Sequence, residues 1–179
     1  MLPNEKGAGS RFAEFVINYA MASAAESHSF LKGLSPGQRA ALRSIATRQQ
    51  FSPGEVILRQ QETADRFYLV EEGRVSLDYE LPRQHQVRIQ EIGPGEALGW
   101  SWLAQPSKWQ FSATAIERVT VSVFRVADLR ALFEREPSLG YAVMERVARA
   151  VLERLQATRH QLRVYVARAS GDENTQQVC

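Results

Sequence analysis

Hydrophobic and polar positions change period twice along the chain. Near the start, Phe12, Phe15, Val16 and Tyr19 recur at helical spacing after a polar, glycine-containing opening. They predict a short amphipathic helix within residues 1–29, a candidate surface for a protein partner. "SPGQRAALRSIA" then carries a helix start. Ser35 suits the N-cap, Pro36 the first helical position, and Gln38 completes a capping box ahead of Leu42 and Ile45. From 55 to 125 the text reads as strand and turn. "RFYLV", "GRVSLDYE", "HQVRIQEI" and "FSATAIERVTVSVFRV" are rich in β-branched and aromatic residues, and several alternate as half-buried strands do. Glu71-Glu72-Gly73, Leu81-Pro82 and Gly93-Pro94-Gly95 punctuate them. Eight or so short strands with such turns predict a double-sheet jelly roll over residues 30–126.

From about residue 127 the period is helical again. "ADLRALFERE" predicts a short helix ending at Pro137, and a long helix follows from about Ser138 to Val166. Along it, Tyr141, Met144, Ala148, Val151, Leu155, Thr158, Leu162 and Tyr165 recur at gaps of three and four. Such a seam faces a coiled-coil partner. An adjacent line, Val143, Val147, Ala150 and Arg154, is free to pack on the roll. Two usable faces on one helix predict a homodimer. The expected organisation is an N-terminal segment (1–29), a roll (30–126), C-terminal helices (127–168) and a polar tail (169–179).

Composition changes this picture little. The 179 residues are 44% hydrophobic and 23% charged, with a net charge of +2, ordinary for one globular domain with a core. Near-cancelling charge gives no argument for nucleic acid. The helix arginines, among them Arg146, Arg149, Arg154, Arg159 and Arg163, read as a solvated face. A lone cysteine, Cys179, excludes an internal disulfide and suits a cytoplasmic setting. "FAEFVINYAMASAAES" is too broken by Glu14 and Asn18 for a signal peptide, and no run is long enough for a membrane span. His28, His85 and His160 lack ligand spacing, so no metal is expected, and no catalytic constellation or enzyme signature is found. Gly93-Pro94-Gly95 lacks the spacing of a dinucleotide fingerprint.

One stretch stands out. "GWSWLAQPSKWQFSA" (99–113) holds all three tryptophans. With "FLKGLS", "FSPGEVILRQQETADRFYLVEEGRVSL", "IGPGEALG" and "SATA", it makes residues 30–166 resemble the cyclic nucleotide-binding domain of the catabolite-activator and FNR-type regulators. The resemblance implies an α+β jelly roll with N-terminal helices and a long C-terminal dimerisation helix. It also implies a phosphate-binding cassette between Gly95 and Ala113, a short helix whose backbone amides face a cyclic phosphate. In that family a glutamate after the cassette glycine accepts from the ribose 2′-hydroxyl, and an arginine before a Ser-Ala pair neutralises the phosphate. Here those positions are Trp100, after Gly99, and Phe111, before Ser112-Ala113, with the uncharged Gln110 ahead of it. Loss of both anchors predicts poor binding of cyclic AMP.

The candidate ligand positions are Gly99, Trp100, Ser101, Gln110, Phe111, Ser112 and Ala113, with Thr158 and Arg159 where the family's long helix meets the base. Ser112 is a candidate anion donor and Lys108 a nearby point charge. The 13 residues after Val166 are too few for the winged helix-turn-helix of the family's transcription factors, so sequence-specific DNA binding of that kind is not expected. Two functions follow. One is a sensor module whose pocket is remodelled by Trp100, Trp102 and Phe111, its ligand or cofactor unidentified. The other is a degenerate scaffold, filled by those aromatics, serving as an accessory subunit such as those of redox complexes.

Overall fold

A computed structural model describes residues 29–81 and 85–173. The predicted helix at Phe12–Tyr19 lies outside the described residues. A 3-10 turn, Ser29–Leu31, buries Phe30 and Leu31 and leads to α1, Pro36–Ile45. The predicted capping box forms: the Gln38 amide donates to Ser35 Oγ at 3.2 Å, and the Ser35 amide donates to Gln38 Oε1 at 3.0 Å. These bonds satisfy two helix-end donors locally, which is why the start was legible.

Eight strands follow: β1 Ala46–Phe51, β2 Val56–Leu58, β3 Arg66–Glu72, β4 Val75–Leu81, β5 His85–Ile92, β6 Ala97–Leu98, β7 Ser112–Ala115 and β8 Val119–Arg125. They form two antiparallel four-stranded sheets, ordered β1-β8-β3-β6 and β2-β7-β4-β5. This is the expected jelly roll. "FSATAIERVTVSVFRV" is two strands, one in each sheet, separated by a bend at Ile116 and Glu117 and by the exposed Glu117 and Arg118.

Two details go beyond the sequence reading. β1 is polar and mostly exposed, and it is a strand because it pairs with β8 from Ala46↔Phe124 to Phe51↔Val119. β3 is one of the strands that do not alternate. Phe67, Tyr68, Leu69 and Val70 are all buried, because both faces of this strand are covered. Phe67 packs against Phe30 and Phe124, at ring distances of 5.6 and 6.1 Å, while Tyr68 packs against Trp109 at 6.5 Å. A strand covered on both faces loses its alternation.

α2, Val126–Arg135, and α3, Pro137–Glu173, close the fold. α3 continues past Val166, through part of the expected polar tail, to Glu173. Leu139, Val143 and Val147 are buried against the domain. Arg146 ties α3 to the N-terminal turn by donating to the Lys32 carbonyl at 2.8 Å. The other apolar line stays open: Tyr141 is 75% exposed, Leu155 43% and Leu162 60%. Met144 is partly buried against the core, and Val151 is 39% exposed. Among the described residues, no helix is long and apolar enough to cross a membrane, and no group of three or more His, Cys, Asp or Glu could hold a metal.

Candidate functional site

The cassette begins at Gly99, whose φ of 84° lies in the left-handed region that favours glycine. Space for a side chain is tight there too. A Cβ would lie 3.0 Å from the Arg66 carbonyl, 3.1 Å from Tyr68 Cδ2 and 3.2 Å from Trp109 Cη2. The expected short helix is a single 3-10 turn, Trp100–Leu103. The chain from there to Phe111 is strapped to the preceding β2–β3 loop. The Trp109 amide donates to the Glu62 carbonyl, and the Gln61 amide donates to the Trp109 carbonyl, both at 2.9 Å.

The three tryptophans part company. Trp102 is buried away from the cassette cavity, with the Arg130 guanidinium 5.7 Å from its ring centre. Its indole N–H is buried without a hydrogen-bond partner. The expectation that Trp102 shapes the pocket is therefore corrected. Trp109 takes that place, buried in the roll with one edge on Gly99. Trp100 stays half-buried and faces α3.

Between them lies a cavity of about 290 Å³. Leu58, Leu77, Trp100, Trp109 and Phe111 wall it from the roll, and Val151 and Arg154 from α3. Gly99, Ser101 and Gln110 also line it. Phe111 is steadied by an edge-on contact with Tyr79 at 6.0 Å. The aromatics rim the site without filling it.

Ser112 and Ala113 sit behind this wall in β7. Ala113 is fully buried core. Ser112 is already satisfied: its Oγ accepts from the Gln60 amide at 2.9 Å and donates its one hydrogen to Glu80 Oε1 at 2.5 Å. Gln60 Oε1 in turn accepts from the Glu80 amide at 2.7 Å. A hydroxyl has one donor hydrogen, so Ser112 has none left for an anion. The Glu80 carboxylate takes the hydrogen that the sequence offered to an anion. Lys108 is exposed and does not line the cavity.

Thr158 and Arg159 are not brought to the cavity. Both are exposed, and Thr158 Oγ1 donates back to the Arg154 carbonyl at 2.9 Å. The contact from α3 comes one helical turn earlier. Arg154 is not part of a solvated face. Its guanidinium lies over the Trp100 ring, 4.1 Å from the centre, a cation–π contact. Arg154 Nε donates to Gln90 Oε1 at 3.1 Å, and Nη2 reaches the Ala97 carbonyl at 3.5 Å. Burial lowers its pKa to about 10, partly offset by the charge of Glu96, so it remains a cation at neutral pH. Beyond it, a second cavity of about 270 Å³ lies between α3, Ser29 and Gly95–Ala97. The signal for Arg154 was its place in the line Val143, Val147, Ala150. That line faces the roll, but the register that sets it on Trp100 is tertiary.

The profile of the cyclic nucleotide-binding domain matches residues 48–136. A crystal structure from Geobacter metallireducens GS-15, of a protein assigned to cyclic nucleotide binding, is 33% identical. It matches over 72% of this chain and 92% of its own, with a TM-score of 0.62. The catabolite activator protein of Thermus thermophilus is 25% identical over 77% of this chain and 63% of its own, with a TM-score of 0.64. Among curated proteins, the nitrogen fixation regulation protein FixK of Bradyrhizobium diazoefficiens is 32% identical over 129 residues, 72% of this chain and 51% of FixK. The CRP-like cAMP-activated global transcriptional regulator of Mycobacterium tuberculosis is 27% identical over 132 residues, 73% of this chain and 57% of that protein. The chain thus spans about half the length of these curated relatives. One solved relative shares a third of its residues over nearly its full length, and the chain belongs to the cyclic nucleotide-binding domain family.

Proposed function

We propose that this regulatory domain is a cytoplasmic, dimeric sensor whose roll cavity takes a small ligand other than cyclic AMP bound in the family's usual way. One observation carries the reading. The cavity is open, yet Trp100 and Phe111 replace the two anchors expected from the resemblance, and Glu80 occupies the hydroxyl of Ser112. An open cavity supports a sensor over a filled scaffold. A phosphate placed at β7 meets the Glu80 carboxylate on Ser112, and Phe111 stands where the resemblance places an arginine. Each missing charge-assisted contact weakens binding by roughly 1.5–3 kcal/mol, so two cost on the order of a hundredfold to ten-thousandfold in affinity.

The output is α3. Val151 and Arg154 touch the cavity while Leu155 and Leu162 on the same helix stay exposed, so a ligand and a second copy would act on one element. Isothermal titration with cyclic AMP and cyclic GMP tests the proposal. Weak or absent heat is expected. Saturable binding of either at about 1 µM or tighter would show that the missing anchors do not matter.

A further inference from the structure

We infer that the cavity takes a planar apolar monoanion, an aromatic carboxylate in chemical class, with Arg154 as the seat of its charge. This rests on the reading of the cavity as a ligand site and names the class that fits it.

The walls fix the body of the ligand. Leu58, Leu77, Trp109 and Phe111 offer aliphatic and aromatic surface and no charge. The volume, about 290 Å³, lies at the small end of ligand pockets, which begin at roughly 300 Å³. Flat rings gain most from such walls, through burial and stacking.

Charge fixes its direction. Arg154 is the one cationic side chain lining this cavity among the described residues. Its two hydrogen bonds go to neutral oxygens, of Gln90 and Ala97. No carboxylate stands within ion-pair distance of it among the described residues; Glu96, which acts on it through space, is turned to accept from the Gly93 amide at 2.7 Å. A guanidinium has five N–H donors, so Arg154 keeps donors for an anion while lying on Trp100. At the β7 end the sign is reversed. Glu80 is bonded to Ser112 beside Phe111, and it repels a second negative group. A ligand with one anionic group at the helix end and an apolar body toward Phe111 satisfies both ends, whereas a phosphate anchored at β7 does not.

The test is calorimetric titration of the whole chain with 2-naphthoate, its neutral isostere 2-naphthamide, and cyclic AMP, at neutral pH. The acid is expected to bind about tenfold tighter than the amide, or more, the worth of a charge-assisted hydrogen bond. Arg154→Gln should close the gap between acid and amide, with the fold of the variant checked by circular dichroism. Arg154→Lys should restore part of the gap. Equal binding of acid and amide by the unaltered chain would overturn the role of Arg154 and leave the cavity standing as a ligand site. Binding of cyclic AMP with neither naphthyl probe would overturn both. Failure of all three to bind would overturn the ligand class, as would acid binding that survives both Arg154→Gln and a cavity-filling Val151→Trp.

Discussion

Gly99 and Gly54 share a backbone conformation and differ in their surroundings, so Ala substitution at the two separates backbone strain from packing at the cassette. Both have φ of +84°. A Cβ at Gly54 would meet nothing within 4 Å, whereas one at Gly99 would press on the Arg66 carbonyl, Tyr68 and Trp109 at 3.0–3.2 Å. Left-handed backbone costs an L-residue about 1–2 kcal/mol. Reduced freedom of the unfolded chain returns about 0.4–1 kcal/mol, so Gly54→Ala should lose about 1 kcal/mol. Gly99→Ala adds the displacement of a backbone carbonyl and two buried rings, about 1–2 kcal/mol more by the usual scale of overpacking. In a chain of this size 1 kcal/mol moves Tm by about 2–4 °C. Thermal unfolding followed by circular dichroism should therefore show a loss of about 2–4 °C for Gly54→Ala and about 5–10 °C for Gly99→Ala. The two variants melting together would refute the claim that Gly99 is held by Trp109 and Tyr68, and with it the account of how the cassette wall is built.

Ser112→Ala removes the group shared by the Gln60 amide and Glu80; it should cost about 1–3 kcal/mol, read by urea unfolding. Leu155→Glu with Leu162→Glu places charge on the exposed line of α3 and should convert dimer to monomer in sedimentation velocity with Tm nearly unchanged; a dimer that persists would move the interface elsewhere. Burial raises the pKa of Tyr68, so its contribution to stability is whole below the unfolded tyrosine pKa and lost as pH climbs through the folded one. Arg154, lowered to about 10, works the other way: its charged form is disfavoured in the folded chain, so its penalty fades as pH rises through that value. Tyr68→Phe should thus flatten the alkaline fall in stability between about pH 9 and 11, and Arg154→Met should steepen it, both read as Tm against pH.

What was legible in the sequence follows the range of the forces involved. Ser35 and Gln38 announced a helix because the bonds that cap it lie within four residues. The roll could be read from its turns and apolar strands. β1 could not, because "ATRQQF" is a strand only through β8. In the cassette, Gly99, Trp100 and Phe111 were found as departures from a pattern, but the wrong second tryptophan was assigned to the pocket. The reason is geometric. A 3-10 turn has about three residues per revolution, so Trp100 and Trp102, two residues apart, point about 120° apart. One meets α3 while the other enters the core. Trp109 reaches the cavity only because the loop carrying it is strapped to Glu62 and Gln61, a contact no local pattern announces.

That placement has a consequence for signalling. In the family that the cassette resembles, the ligand's charge is held by the roll, through an arginine at the strand, while a glutamate at the cassette accepts from the ribose. Here the strand end carries the carboxylate Glu80, and the cation Arg154 belongs to α3. In the proposed arrangement, a ligand's charge would bind the long helix directly while its body stays in the roll. A ligand shifts a conformational equilibrium only by the difference in its affinity for the two states. A charge-assisted contact made to α3 in one position and lost in another supplies such a difference at a single residue. Arg154 also stacks on Trp100, so in that arrangement the same side chain would couple the seating of the helix to the cassette.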